Sequence, residues 1–414
     1  MNTVAVVPTY NNSSLFLLLE QLAALHINIV VVDNGCSDDI SSLVRQATGS
    51  CDYIQLHENT GGSGGFLAGV EYALKKYPVA DYFWLLDDDV KITDDTMNKL
   101  LSAATELNTK GIKWGAIASM MLEMEKPDIV TEIGAAIDWW KIGLKPYDRG
   151  KMISDIEPGV YNVQYGAAAS LLVKPATICE IGFFENIFIH FDDVDWCLRL
   201  RKSGYEIYCA TESKIWHPTS LSKPATWVRY YDVRNFIWLC RRHNKKFLFW
   251  VVLLLFLKGI YFYLHDLRLT AMLYFIGIAD AFGGRLRLRD ELKYEAYSVE
   301  EKFCLAGRRI ACIFRNYEHF NSFKEKRLSG NKIKLFLYER VSVNHEACIT
   351  QATSNSCVAK FMLGMKSCLY SLFIKNDIVV IDDALRGNFM FPVMGKRKMI
   401  YNHYLDKFVN HDLA

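Results

Sequence analysis

Short apolar runs recur through the first 125 residues with helix-patterned stretches between them, and this rhythm restricts the chain more than any other feature. Val4 to Val7, Ile29 to Val32, Tyr53 to Leu56, Tyr82 to Leu86 and Ala116 to Met120 predict five strands, with helices over 13–25, 64–76 and 95–106. Alternation of strand and helix implies βαβ units on a mostly parallel sheet, an α/β fold whose ligands gather at the carboxyl ends of the strands.

A chain of 414 residues is longer than one average core, so further units are expected after this one. From 127 to 165 the pattern weakens around Trp139, Trp140, Lys145, Pro146 and Pro158 and reads as a loop-rich insertion. Regularity returns over Tyr165 to Val173, Pro175 fits the first turn of a helix, and Glu206 to Ala210 predicts another strand. The sharpest change comes at Arg241-Arg242-His243-Asn244-Lys245-Lys246, followed by an apolar stretch, 247–264, whose one charge is Lys258. Arg268, Arg285, Arg287 and Arg289 follow it. A spanning helix would bury that lysine, whereas a helix in the interface keeps it among headgroups. Peripheral or monotopic membrane contact is therefore favoured over a buried core or oligomer helix and over a true span. The expected partition is an α/β domain over 1–240, a basic and apolar helical segment at the membrane over 241–290, and a mostly helical region over 291–414.

Charge and cysteine usage narrow the classes further. Acidic and basic residues nearly cancel, 46 against 48, which gives no basis for binding nucleic acid by neutralising phosphates. An apolar fraction of 51% is high enough that part of it is expected to address something other than a core. The eleven cysteines form no CxxC pair and predict no disulfide framework, and no basic stretch precedes an apolar one at the start, so a reducing compartment is expected.

Three clusters carry chemistry. Asp87, Asp88 and Asp89 follow the fourth strand, where alternation sends Asp87 and Asp89 to one side at a spacing suited to a shared Mg2+ or Mn2+. The first two strands end in Pro8-Thr9-Tyr10-Asn11 and Asp33-Asn34-Gly35, groups able to hydrogen-bond a nucleoside. Beyond the third, Asn59-Thr60-Gly61-Gly62-Ser63-Gly64-Gly65 is neither a P-loop nor a GxGxxG dinucleotide turn, yet it allows close backbone approach to phosphate. In Phe191-Asp192-Asp193-Val194-Asp195 one aspartate is expected to act as a base, and spacing does not say which. His217 is either a third metal ligand or a packed loop histidine, and Arg229 or Arg234 either grips a diphosphate or forms a helix-surface charge pair.

Together these residues resemble inverting family 2 glycosyltransferases with a GT-A fold, a Rossmann-like mixed sheet flanked by helices. The matching pieces are Val7-Pro8-Thr9-Tyr10-Asn11, Val32-Asp33-Asn34-Gly35, Asn59 to Phe66, Leu86-Asp87-Asp88-Asp89, Phe191 to Trp196, Trp216-His217 and Tyr230-Tyr231-Asp232-Val233-Arg234-Asn235. They cover about residues 3–240, and look most like bacterial galactofuranosyltransferases, with rhamnosyltransferases beside them. The resemblance implies metal binding by Asp87, Asp89 and His217, with Mn2+ or Mg2+ as cofactor, and Asp193 as catalytic base. It also implies a donor pocket of Pro8, Thr9, Asp33, Asn59, Gly61, Gly62, Asp88 and Arg234, with Asp33 toward uracil. Phe191 stands where the galactofuranosyltransferase pattern has tryptophan, and no large β-domain is expected before the first strand at residue 4.

The implied reaction moves galactofuranose from UDP-galactofuranose to a lipid-linked glycan in O-antigen, lipopolysaccharide or galactan synthesis. A dTDP-rhamnose donor and a non-catalytic sugar-nucleotide-binding scaffold are the alternatives. A nucleotidyltransferase would want a basic glycine-rich loop where Pro8-Thr9-Tyr10-Asn11-Asn12 stands. The expected location is the cytoplasmic face of the bacterial inner membrane, and homo-oligomers are a further expectation.

Overall fold

The strand β1 (Thr3–Thr9) is buried at every position, as its unbroken apolar sequence requires of a strand covered on both faces. The computed structural model containing it describes residues 1–12, 14–36, 39–47, 51–218, 227–264 and 268–286. Further on it describes 297–298, 309–314, 320–323, 325, 332–337, 348–351, 378–382, 397–402 and 407–410. Arg287 and Arg289 thus lie outside the described residues. The chain divides into one unit of Met1–Thr219, Tyr230–Leu255 and Ile276–Glu291 and another of Ser220–Arg229, Phe256–Phe275 and Leu292–Ala414.

In the first unit β1 is followed by α1 (Leu15–Ala24), β2 (Asn28–Asp33), α2 (Ile40–Gln46), β3 (Cys51–Gln55), α3 (Gly61–Lys76), β4 (Tyr82–Leu86), α4 (Thr96–Thr109) and β5 (Trp114–Glu123). All five predicted strands are present. The helix α2, capped by Asp39 accepting from the Ser42 amide, is an addition too short to show a periodic pattern. The segment expected to be a loop-rich insertion holds β6 (Val130–Glu132), β7 (Ala135–Asp138), β8 (Gly143–Pro146) and β9 (Val160–Val163), strands of three or four residues that leave no legible alternation. Next come β10 (Ser170–Val173), α5 (Pro175–Ile181) with its proline in the first turn, α6 (Asp192–Lys202) and β11 (Glu206–His217).

The main sheet runs β3-β2-β1-β4-β10-β5-β11-β9, with β6 paired to β5. Strands β3, β2, β1 and β4 are mutually parallel, and β10 is inserted antiparallel between β4 and β5. The chain leaves β1 toward β2 and β3, then returns to β1's other side with β4, which makes the β1/β4 boundary the switch point where a ligand crevice opens. Leu18, Leu22, Trp84, Leu100 and Trp114 are among the core residues that seal helices to this sheet. Helix α3 lies very close to it because a Cβ on Gly69 would come within 2.5 Å of Val6 Cγ1.

The helical region expected after the α/β domain is present as α7 (Val228–His243), α8 (Leu248–Leu264) and α9 (Arg268–Gly283). For 291–414, expected to be mostly helical, only part of the segment falls among the described residues. The described residues there include β12 (Tyr297–Ser298), β13 (Arg309–Phe314), β14 (Lys332–Leu337), β15 (Cys348–Gln351), β16 (Ile378–Asp382), β17 (Arg397–Asn402) and β18 (Lys407–Asn410). They form one sheet ordered β12-β18-β17-β16-β13-β14-β15, parallel from β17 to β15. The β-branched run Ile378-Val379-Val380-Ile381 suits β16, since such side chains favour the pleated surface over a helix.

Candidate active site

Three aspartates emerge where β4 ends, and their side chains divide between two tasks. Asp88 turns toward β1, accepting from Thr9 Oγ1 at 2.6 Å, and so ties the two strands at the switch point. Asp87 and Asp89 face His217, whose Nε2 lies 3.8 Å from Asp87 Oδ2 and 3.2 Å from Asp89 Oδ1. One ligand atom from each of the three falls within 4.8 Å of the others.

His217 reaches this position through a break in β11. The pairing of β11 with β5 shifts register between Ala210 and Lys214, a bulge anchored by Ser213 Oγ donating to the Thr96 carbonyl at 2.8 Å. Past the bulge, Trp216 and Lys91 exchange backbone hydrogen bonds of 2.9 and 3.0 Å, which sets the next residue, His217, beside the aspartates. Burial, and then the charge of Asp89, push the Asp87 carboxyl up to about 7. Two carboxylates that resist sharing a site, joined by an imidazole nitrogen, are a donor set that fits a hard divalent cation such as Mn2+ or Mg2+.

The same cleft, about 560 Å³, is lined by Asp87, Asp193, His217, Gly62, Tyr165 and Leu144. Asp193 sits in the first turn of α6 with Oδ2 accepting from the Ala168 amide at 3.1 Å and Oδ1 from the Val194 amide at 2.7 Å. Burial raises its pKa, and those two amides partly offset the rise. Burial and the neighbouring Asp193 push Asp192 up to about 8. Asp195 has a different surrounding. It is wholly buried, and although burial opposes its charge, His243 and Arg199, each 2.8 Å away, hold its pKa below the ordinary value. Asp195 is thereby committed to packing α6 onto α7, leaving Asp192 and Asp193 at the cleft.

Glu132 on β6 is a further buried acid, raised to about 7 by burial and by Asp193. A lone glutamate in a three-residue strand gave no sequence signal. His190 lines the cleft too, its Nδ1 2.7 Å from Asp232 Oδ1.

The loop delivering these groups has an unusual backbone. Phe188, His190 and Phe191 have φ of 76°, 63° and 70°, a region that costs non-glycine residues energy and persists only where surroundings impose it. Asn235 of α7 imposes it here, its Nδ2 lying 2.6 Å from the Ile189 carbonyl, 3.1 Å from that of His190 and 3.3 Å from that of Ile187. Arg234 Nη2 donates to the Ile187 carbonyl at 2.6 Å, and its Nε to Asn235 Oδ1 at 2.8 Å. Arg234 is completely buried beneath Tyr230 and Tyr231, which corrects the expectation that it grips a diphosphate: its guanidinium holds the loop and is closed to the cleft.

On the glycine side, the run expected to be a loop forms the first turns of α3. Gly61 has φ +73°, and a Cβ there would lie 2.0 Å from the Phe188 carbonyl oxygen, so only glycine lets α3 start against the αL loop. Asn59 Oδ1 accepts from the Gly61 amide at 2.8 Å. Asn34 binds the same turn, with Nδ2 donating to the Gly61 carbonyl and Oδ1 accepting from Thr60. Asp33 is buried at the end of β2, where Oδ1 accepts from the Cys36 amide at 2.8 Å and Oδ2 from the Tyr53 hydroxyl at 2.5 Å. Of the residues expected at the donor, Gly62 lines the cleft with the triad, while Pro8, Thr9, Asp33, Asn59, Gly61 and Asp88 build the strand ends and helix start behind it.

Residues 4–121 match the family model described as Glycosyl transferase family 2. Residues 4–121 are thus similar to family 2 glycosyltransferases, and the first unit has the mixed sheet and flanking helices that the resemblance implied. The galactofuranosyltransferase GlfT1 of Mycolicibacterium smegmatis is 26% identical over 195 residues, 46% of this chain and 61% of that protein. The galactofuranosyltransferase GlfT2 of the same organism is 24% identical over 262 residues, 56% of this chain and 40% of that protein. The chain therefore spans about 61% of the length of GlfT1. Among solved structures, the crystal structure of GalNAc-T7 with UDP, GalNAc and Mn2+ aligns with a TM-score of 0.44 at 10% identity, covering 58% of this chain and 48% of that one.

Proposed function

We propose that this chain is a metal-dependent inverting glycosyltransferase that moves galactofuranose from UDP-galactofuranose to a lipid-linked glycan, at the cytoplasmic face of a bacterial inner membrane. The observation that carries the reading is one cleft lined by Asp87 and His217, two members of the metal-type triad that Asp89 completes, and by a half-buried carboxylate, Asp193, with raised proton affinity. The relatives named galactofuranosyltransferases support the choice of donor. In a single displacement, an acceptor hydroxyl oxygen bonds to the anomeric carbon while the bond from that carbon to the diphosphate oxygen breaks. The hydroxyl proton passes to the Asp193 carboxylate, and the electron pair of the broken bond leaves with UDP. Asp87, Asp89 and His217 would hold a divalent cation, whose positive charge would offset that of the departing diphosphate. The Ala168 and Val194 amides aim the carboxylate, and the cleft walls hold both substrates in line.

Phe191, in place of the expected tryptophan, makes dTDP-rhamnose the donor to compare. Purified protein with Mn2+ is incubated with UDP-galactofuranose, dTDP-rhamnose, UDP-galactose and UDP-glucose over lipid-linked acceptors, and product linkage is read by NMR. Transfer from UDP-galactofuranose alone is the expected outcome. Transfer only from dTDP-rhamnose would replace the donor, and turnover of none would leave a sugar-nucleotide-binding scaffold.

A further inference from the structure

Helix α8 has two faces that sequence alone does not separate, because both are apolar. Over its first turns Val251 and Leu255 are buried. On the opposite side of those turns the helix presents Phe249, which is 80% exposed. Beside its first turns lies the tip of the β7–β8 hairpin. There Trp140 packs edge-on against Phe247 and Trp250, accepts through its carbonyl from Trp250 Nε1 at 3.1 Å, and still leaves 64% of its own surface uncovered. Lys141 of the hairpin and Lys245 and Lys246 ahead of the helix are exposed around this aromatic face, and none makes an ion pair among the described residues.

We infer that the outward face of the first turns of α8 and the Trp140 tip of the hairpin form one docking surface for an anionic lipid bilayer, with the start of the helix lying in the headgroup plane. Aromatic side chains ringed by unpaired lysines match an interface that is apolar below and negative above. The candidate span Lys245–Tyr263 has a mean hydropathy of 1.7 and is long enough to cross a bilayer. Its first turns are tied to the α/β unit, with Val251 and Leu255 buried and Trp250 Nε1 donating to the Trp140 carbonyl, which favours the in-plane arrangement. The hairpin also links the surface to the chemistry: Leu144 on β8 lines the catalytic cleft, and Trp139 contacts Phe236, which contacts Phe191 beside Asp192. Docking would present the cleft to the membrane that holds a lipid-linked acceptor, and to that extent rests on the proposed reaction. The binding measurement itself needs neither donor nor acceptor.

The test is flotation of the full chain with vesicles of phosphatidylcholine alone or of equal parts phosphatidylcholine and phosphatidylglycerol. Binding to the anionic vesicles, weakened by salt and released by alkaline carbonate, is expected. Phe249→Glu combined with Trp140→Ala is expected to lower partitioning about tenfold or more, and Lys245→Glu with Lys246→Glu about tenfold on anionic vesicles only. Unchanged circular dichroism and unchanged turnover of a water-soluble acceptor in Phe249→Glu identify a loss of docking rather than of folding or catalysis. Variants that float like the wild type would overturn the inference. So would resistance to carbonate, which means a span, or a dimer in solution that Phe249→Glu dissolves, which means that a second copy covers this face. If the wild type docks as described but no donor is turned over, the surface stands and the proposed reaction falls.

Discussion

Replacing Asn235 by alanine is expected to disable catalysis while leaving the metal triad in place. The side chain offers two N–H groups to three carbonyls of Ile187, Ile189 and His190, and each buried acceptor left without a donor costs about 1–3 kcal/mol. With two of them lost and some water entering, the penalty comes to about 2–4 kcal/mol. That is comparable to the roughly 1–2 kcal/mol per residue by which Phe188, His190 and Phe191 resist their left-handed backbone, so the loop is expected to relax. The fold, with a typical reserve of about 5–15 kcal/mol, is expected to survive with Tm lowered by about 4–12 °C. A shift of about 1 Å at Asp193 is enough to lower kcat about 100-fold. Mn2+ affinity, measured by calorimetry, is expected to stay within about twofold, because Asp87 and Asp89 follow β4 and His217 ends β11, strands that the Asn235 side chain does not hold. Asn235→Asp keeps the shape but not the N–H donors and is expected to behave like the alanine variant. Wild-type kcat in Asn235→Ala, or a loss of Mn2+ binding equal to the loss of rate, would refute the clamp.

Asp193→Asn is expected to cut turnover at least about 1000-fold while UDP binding, read by calorimetry, changes little; near-normal turnover removes Asp193 as base. His217→Ala is expected to weaken Mn2+ binding about 10- to 100-fold, and an EDTA-treated wild type that stays fully active without added cation would end the metal assignment. The acid limb of kcat/KM is expected above the ordinary carboxylate range, since the base works only ionised and burial raises Asp193. Asp192, pushed up to about 8, is still protonated where Asp193 ionises, so Asp192→Asn should leave that limb in place, and a limb moved by this variant counts against that order of ionisation. Asp87 and Glu132, raised from 3.8 and 4.5 to about 7, bind protons more tightly folded than unfolded. Their contribution to stability is therefore full below those ordinary values and lost as pH rises through about 7. A cation at Asp87 relieves part of that loss, so Mn2+ should raise Tm more at about pH 7.5 than at about pH 5.5, and equal gains would contradict it.

What the sequence made legible follows the range over which each interaction acts. The strands of the first 125 residues could be read because burial on both faces writes itself into consecutive residues, as in Val4 to Val7. The pairing of Asp87 with Asp89 could be read for the same reason, two-residue alternation at a strand end. His217 was ambiguous in sequence because its direction depends on a bulge fixed by Ser213 and Thr96, and on pairing with Lys91, a contact between residues more than a hundred positions apart. Glu132 was invisible because its chemistry comes wholly from burial beside Asp193, which no neighbour in the chain announces.

The segment Tyr230-Tyr231-Asp232-Val233-Arg234-Asn235 shows the remaining kind of error. An arginine in such a motif reads as a hand for phosphate, and its charge was the only property available to weigh. In the fold that charge is spent on backbone: Arg234 and Asn235 grip carbonyls at the Ile187–His190 turn, and Gly61, whose missing Cβ makes room for the Phe188 carbonyl, receives the same loop from the opposite side. The glycine run and the Arg-Asn pair, far apart in sequence and each readable as a phosphate site, meet on one strained loop. Their shared work is to hold Asp193 in place, so a substitution at Gly61 is expected to resemble Asn235→Ala, lowering kcat with little effect on Mn2+ affinity. Gly61→Ala tests this directly: wild-type kcat would show that the loop tolerates displacement, and equal losses of kcat and Mn2+ binding would point to a general collapse of the site.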